Sequence, residues 1–256
     1  PLDTPAIESA EVLLAKGGGE TEKQIYRFQK GDADLALRFD LTVPLAKYVA
    51  LHYNDLTFPF RRYQIGKVYR GERAQRGRFR EFYQADIDII GDGRLSIINE
   101  AEIPAIIYKT FSTLGLKRFQ IRVNNRKILN GFYAMLGLTR QSGAIMRTVD
   151  KLEKIGLDNV KAELMERGLD REAVDKLQPI LELSGDNAQK LNQLKEVLAV
   201  SETGMKGIEE METVFGYVGR LGIGLTVELD LSLARGLNYY TCLLYTSPSP
   251  RDGLLS

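Results

Sequence analysis

The chain has 256 residues, 44% hydrophobic and 27% charged, and 35 basic against 34 acidic side chains leave a net charge of +1. Those proportions describe an ordinary soluble globular protein, with room for one large domain and a smaller one, and exclude a fibre or a protein that coats nucleic acid over its whole surface. One cysteine, Cys242, and one histidine, His52, exclude a disulfide framework, a cysteine-rich zinc site and a histidine-based triad elsewhere. The opening PLDTPAIESAEVLL has neither the basic start nor the apolar run of a secretory signal, so a reducing, cytoplasmic setting without a membrane is expected.

In chain order, Pro1 and Pro5 precede a helical pattern from Ile7 to Leu14, which ends at Gly17, Gly18 and Gly19. Residues 24–29 and 35–39 alternate as strands around Gly31 and Asp32. Asp40 then opens the helical run DLTVPLAKYVAL. An acid there caps the outward-pointing amides or receives a substrate ammonium, and the spacing favours the cap. His52 falls at the end of that run and reads as a surface residue.

Residues 60–91, FRRYQIGKVYRGERAQRGRFREFYQADIDIIG, read as two strands around a basic loop. Side-chain alternation puts Arg80, Phe82, Gln84, Asp86 and Asp88 on one face and Tyr83, Ala85, Ile87 and Ile89 on the other. The apolar face is expected to be core and the polar face a floor, with Gln64, Gly66 and Arg70 together on the incoming strand. From Arg61 to Arg80, eight Lys or Arg residues stand against one acid, Glu72, a local charge of +7.

A helix over residues 95–116 and a strand over 119–124 follow, and then the pattern changes to short amphipathic helices. The stretch 126–221 is expected to be a helical insertion between a first part of the core, residues 1–125, and a return strand within 222–241. Arg235 in ARGLNYYT stands beside Gly236 and reads either as a strand-end surface residue or as a phosphate clamp. Residues 242–256, with two Ser-Pro steps, read as a disordered tail.

Arginine presents a rigid fork of donors that matches phosphate oxygens in pairs, and Arg70, Arg78 and Arg80 flank the loop. No GxxxxGK[ST] or GxGxxG pattern occurs, so a nucleotide would be held by strands and arginines. Gln84, Asp86 and Asp88 form an unusual set for a central strand unless something polar lies over them. A hairpin with a solvated face accounts for the same residues.

RGERAQRGRFREFYQADIDIIG resembles the second signature motif of class II aminoacyl-tRNA synthetases, in the form found in histidyl-tRNA synthetases. ALRFDLTVPLAKYVA, residues 36–50, is similar to that family's amino-acid-binding segment, ARGLNYYT to its histidine-specific motif, and PLDTPAIE to the tail of its dimer-forming first motif. The resemblance covers residues 1–241 and implies an α+β fold, an antiparallel sheet flanked by helices with a helical insertion. It implies activation of histidine with ATP and Mg²⁺ to histidyl-adenylate, and transfer to the 3′ end of tRNA(His), in a homodimer. By matching position, Arg70 would contact the α-phosphate, Glu72 the adenine end, and Arg78 and Arg80 the triphosphate. Asp40 and Thr42 would receive the α-ammonium with Gln84 beside them, Asp88 and Tyr240 would read the imidazole, and Arg235 would be the catalytic arginine.

Asn238 stands where many members have Asp, and the third signature motif and anticodon-binding domain do not occur in these residues. The expectation is a partial reading frame with a foreign or out-of-frame end. A catalytically silent regulatory subunit of ATP phosphoribosyltransferase, which resembles the same core, is the alternative. A hairpin that binds nucleic acid through its basic loop is a further reading.

Overall fold

The structure, a computed structural model, describes residues 1–15, 20–73, 77–149, 151–233 and 243–246. The chain divides into two units, Pro1–Leu95 and Ser96–Ser256. In the first, β1 (Ile7–Ser9), α1 (Ala10–Leu14), α2 (Glu20–Gln24), β2 (Arg27–Lys30), β3 (Ala33–Leu37) and α3 (Thr42–Leu51) precede a long hairpin of β4 (Phe60–Tyr69) and β5 (Glu81–Ile90). The three short strands form an antiparallel sheet in the order β1-β3-β2. The helical pattern expected from Ile7 thus begins as a strand, whose first residues pair with β3, and turns helical at Ala10.

Register in the hairpin sets Arg62 opposite Asp88, Gln64 opposite Asp86, and Gly66 opposite Gln84. Residues directly opposite in an antiparallel pair share a face, so six side-chain positions make one polar strip. The expectation of an apolar core face is reversed. Tyr63, Ile65 and Tyr83 are 49%, 65% and 67% exposed, whereas Arg62 and Gln64 on the polar face are 6% and 1% exposed. The N-terminal segment and residues 38–41 cover that polar face, through Thr4, Arg38 and the Leu41 carbonyl.

Gly66 permits this cover. A β-carbon there would lie 2.6 Å from Arg38 Nη2, and Arg38, 5% exposed, donates from Nε to the Lys67 carbonyl at 2.7 Å and from Nη1 to the Thr4 carbonyl. Backbone bonds from Leu2 to Tyr63 and from Tyr69 to Arg38 tie the same pieces together.

In the second unit, α4 (Ile98–Thr113) leads to β6 (Ile121–Asn125), and the helices α5 (Arg126–Met135), α6 (Ser142–Val149), α7 (Leu152–Ile155), α8 (Leu157–Glu166), α9 (Arg171–Lys176), α10 (Gln178–Leu181), α11 (Asn187–Leu198) and α12 (Glu202–Arg220) follow. Strand β7 (Val227–Leu229) pairs parallel with β6, and β8 (Leu243–Thr246) pairs antiparallel with its other edge. Ile121, Val123, Val227 and Leu229 are buried in one core with Ile128, Leu129, Phe132, Leu194, Ile208 and Met211. The helices beginning at Arg126 therefore share a core with the strands on either side. A two-sided buried strand of five residues needs helices over it, which the composition shift alone could not convey.

Helices α5 and α12 meet at glycines, since a β-carbon on Gly131 would fall 2.5 Å from the Gly204 backbone nitrogen. The strand expected over 225–233 is short, because Asp230 turns the chain by accepting from Ser232 N at 2.9 Å and Oγ at 2.6 Å. Leu243–Thr246 fall in the expected tail, yet they pair with β6, whose second edge offers unpaired N–H and C=O groups. Among the described residues no helix is long and apolar enough to cross a membrane.

Candidate active site

The turn from β3 into α3 and the polar face of the hairpin supply the candidate residues of the first unit. Asp40 is 9% exposed, and its Oδ1 accepts from Thr42 N at 3.0 Å and Val43 N at 3.1 Å. The cap favoured by spacing is therefore present. One carboxylate oxygen orders the first turn of α3, and the turn presents Thr42 beside Asp40.

Arg70 is fixed at three places. Its Nε donates to the Phe39 carbonyl at 3.2 Å, its Nη2 donates to Gln84 Oε1 at 3.0 Å, and its guanidinium carbon lies 4.5 Å from the Phe39 ring centre and 5.1 Å from that of Phe82. Stacking on two rings helps to hold the planar fork. Gln84 then passes the interaction on, its Nε2 donating to both Asp86 oxygens at 3.0 Å. This chain fixes the amide orientation, with Oε1 toward arginine and nitrogen toward carboxylate.

Burial pushes the Asp86 carboxyl above the ordinary range; the Gln84 hydrogen bond and the charges of Arg62 and Arg70 oppose the rise, and Asp40 adds to it. Asp88 is raised for the same first reason, with Arg62 opposing and Asp86 adding. Arg62 Nη2 lies 2.7 Å from Asp88 Oδ2 in a charge pair that is close but not aligned as a hydrogen bond. Asp40, Asp86 and Asp88 thus share one electrostatic field with Arg62 and Arg70.

The loop residues stand differently. Arg78 and Arg80 are exposed; Arg78 Nη1 lies 3.6 Å from Glu72 Oε2 and Arg80 Nε donates to the Glu72 carbonyl at 3.3 Å. Arg78 thus faces the Glu72 carboxylate, whereas Arg80 is held by the Glu72 backbone. Arg235 and Tyr240 lie outside the described residues. His52 is at the end of α3, 3.8 Å from Asp55 and half-exposed, as expected of a surface residue. Among the described residues no three His, Cys, Asp or Glu side chains gather to hold a metal. The carboxylates of the polar face are engaged by Gln84 and Arg62.

Sequence reasoning passed over Arg62 and Arg38. Arg62 counted only toward the loop's charge, although its period-2 relation to Gln64, Gly66 and Arg70 places it on the polar face. Arg38 carried no signal at all, because the carbonyls it meets belong to residues distant in sequence.

The sequence pattern of the family described as histidyl-tRNA synthetase matches residues 1–251. The chain belongs to the histidyl-tRNA synthetase family. Histidine–tRNA ligase of Clostridium tetani (strain Massachusetts / E88) is 55% identical over 246 residues, 96% of this chain and 56% of the relative. That of Finegoldia magna is 48% identical over 241 residues, 94% and 56% of the respective chains. The crystal structure of histidyl-tRNA synthetase from Nostoc sp. PCC 7120 matches with a TM-score of 0.86 at 42% identity, over 96% of this chain and 56% of its own. A Bacillus halodurans structure described as an ATP phosphoribosyltransferase regulatory subunit/histidyl-tRNA synthetase has a TM-score of 0.81 at 22% identity, over 98% of this chain and 64% of its own, and speaks for the fold alone. The chain spans 56% of the length of each of the two ligases named here, and its α+β fold of mostly antiparallel strand pairs and helices is that of the class II histidyl-tRNA synthetases.

Proposed function

We propose that the chain carries the histidine-activating part of a histidine–tRNA ligase, which joins histidine to ATP as histidyl-adenylate and passes the histidyl group to the 3′ end of tRNA(His). The observation that supports this reading best is the linked set Phe39 carbonyl, Arg70, Gln84 and Asp86 on a covered polar face, beside the Asp40–Thr42 turn and Asp88. A histidine ligand has a carboxylate, an ammonium and an imidazole, and the face offers cations, acids and an amide in one place.

In this reading Asp40 and Thr42 hold the α-ammonium with Gln84 beside it, and Asp88 and Tyr240 read the ring. The histidine carboxylate oxygen attacks the α-phosphorus, a new P–O bond forms, and the bond to the β-phosphate oxygen breaks to release pyrophosphate. Negative charge grows on the α-phosphate oxygens as this happens. Arg70 and Arg235 stabilise it, and a guanidinium already held by stacking needs no reorganisation. Glu72 seats the adenine end, while Arg78 and Arg80 attend the triphosphate of Mg–ATP. Selection of histidine through polar readers rejects isosteric apolar side chains by roughly 10⁴-fold or more, since the readers would be left unpaired. A tRNA ribose hydroxyl then attacks the histidyl carbonyl carbon, an ester bond forms, and the bond to the phosphate oxygen breaks to release AMP. The homodimer and the cytoplasmic setting belong to the same reading.

The test is histidine-dependent ATP–pyrophosphate exchange by a full-length graft, with residues 1–241 replacing the matching part of the Clostridium tetani ligase. Exchange at a rate within tenfold of the ungrafted enzyme is expected. A folded graft without exchange refutes the reading.

A further inference from the structure

Arg62 has no part in the site as so far assigned, yet it is among its most deeply covered side chains, 2% exposed against 29% for Asp88. Removing a guanidinium from water is costly, and a buried ion pair commonly adds nothing to stability that an aliphatic side chain of like volume would not. Stability therefore does not explain its presence. Its neighbours do: Nη2 lies 2.7 Å from Asp88 Oδ2 and 3.4 Å from the Leu41 carbonyl, and Nη1 lies 3.4 Å from Gln64 Oε1. Leu41 is the residue between Asp40 and Thr42. One side chain thus joins the group assigned to the imidazole with the turn assigned to the ammonium.

We infer that Arg62 is a positioning residue for histidine selection, which holds the Asp88 carboxylate in orientation and in its ionised, hydrogen-bond-accepting form while anchoring the Asp40–Thr42 turn. The inference rests on the reading of Asp88 as the imidazole reader. An ionised carboxylate accepts from a ring N–H, whereas a protonated one competes as a donor. The charged groups bearing on Asp88 are Arg62 on β4, which favours ionisation, and Asp86 on β5, which disfavours it together with burial. Asp40, at the start of α3, acts on Asp86, and Gln64 is neutral. Among the described residues Arg62 is the one cation in that balance.

The experiment measures the Michaelis constants for histidine and for ATP in pyrophosphate exchange by the full-length graft between pH 5.5 and 8.5. Free histidine titrates identically in every sample, so the readout is the shift between variants. Arg62→Met is expected to raise the histidine constant about tenfold at pH 7 with the ATP constant within twofold, and to move the acid limb of histidine affinity upward by about one pH unit or more. Arg62→Lys, which restores the charge, returns the limb toward that of the parent. In an Asp88→Asn background, Arg62→Met produces no further displacement of the limb. Should Arg62→Met fail to fold by circular dichroism, Arg62→Gln, neutral and polar, carries the same test.

Equal rises in both constants, or an acid limb that stays in place in the neutral variants, overturn the inference. If Asp88→Asn itself leaves histidine affinity and its pH limb unchanged, the reading of Asp88 fails, and the inference falls with it. If Asp88→Asn weakens histidine and the Arg62 variants do not, the inference fails alone.

Discussion

Gly66→Ala sets two effects of opposite sign against each other at the centre of the polar face. Gly66 has an ordinary strand conformation, since it is not among the glycines of positive φ. Alanine in a strand interior is then favoured over glycine by roughly 0.5–1 kcal/mol through the entropy of the unfolded chain. Against this, the new β-carbon would sit 2.6 Å from Arg38 Nη2, and ordinary contact begins at 3.4 Å, so the guanidinium must withdraw by about 0.8 Å. Withdrawal by that amount stretches the 2.7 Å bond from Arg38 Nε to the Lys67 carbonyl to about 3.5 Å, the limit of a hydrogen bond. A charged hydrogen bond lost in a buried setting costs about 1.5–3 kcal/mol. The clash wins, and the net effect is a destabilisation of about 1–2 kcal/mol.

Urea unfolding followed by circular dichroism reads the net change, and hydrogen exchange of peptides from residues 60–69 reports whether the loss is local to the hairpin. The same substitution in an Arg38→Met background isolates the clash, because a thioether chain can swing aside. There Gly66→Ala should be neutral or stabilising. Stabilisation by Gly66→Ala in the parent, or an equal cost in both backgrounds, would refute the reasoning.

Arg70→Lys keeps a charge but loses the fork and the two-ring stack, so kcat/KM for ATP in exchange by the graft should fall by about 10²-fold; a change under threefold would remove Arg70 from the phosphate site. Asn124→Leu keeps the branch at Cγ, adds bulk, and takes away the amide that donates to the Leu233 carbonyl at 2.9 Å and the Leu231 carbonyl at 3.5 Å. With the side chain fully buried, the orphaned carbonyls should lower stability by about 2–4 kcal/mol in urea unfolding. The Glu163 carboxyl is held down to about 2 by hydrogen bonds from Lys151 and Arg167, with their charges assisting. A depressed folded value means that this contribution is present above the unfolded value of 4.5 and is lost as the pH falls toward 2. The difference in urea midpoint between the parent and Glu163→Gln should accordingly be largest near neutral pH and vanish by about pH 2, and a pH-independent difference would contradict the assignment.

The hairpin was legible because strand alternation has a period of two, so Gln84, Asp86 and Asp88 had to share a face wherever the strand lay. The α3 cap was legible for a similar local reason, an acid directly before a helical run. Which face of the hairpin would be covered was not. Burial is decided by what packs above, and here the N-terminal segment and the Arg38–Leu41 stretch close over polar residues, leaving Tyr63, Ile65 and Tyr83 in the open. The usual rule that the apolar face goes inward assumes that hydrophobic burial alone sets the choice. A face supplied with its own guanidinium partners escapes that rule.

What the helices pack against was hidden for a related reason. A run of amphipathic helices announces its apolar stripes but not what they pack against, and β6 and β7 turned out to share their core. Local sequence therefore determined the elements, the order of the chemical groups and the residues on each strand face, because those depend on backbone geometry within a few positions. Tertiary structure decided which face became covered and drew Arg62 and Arg38 into it, because their carbonyl and carboxylate partners are brought near only when distant segments fold together.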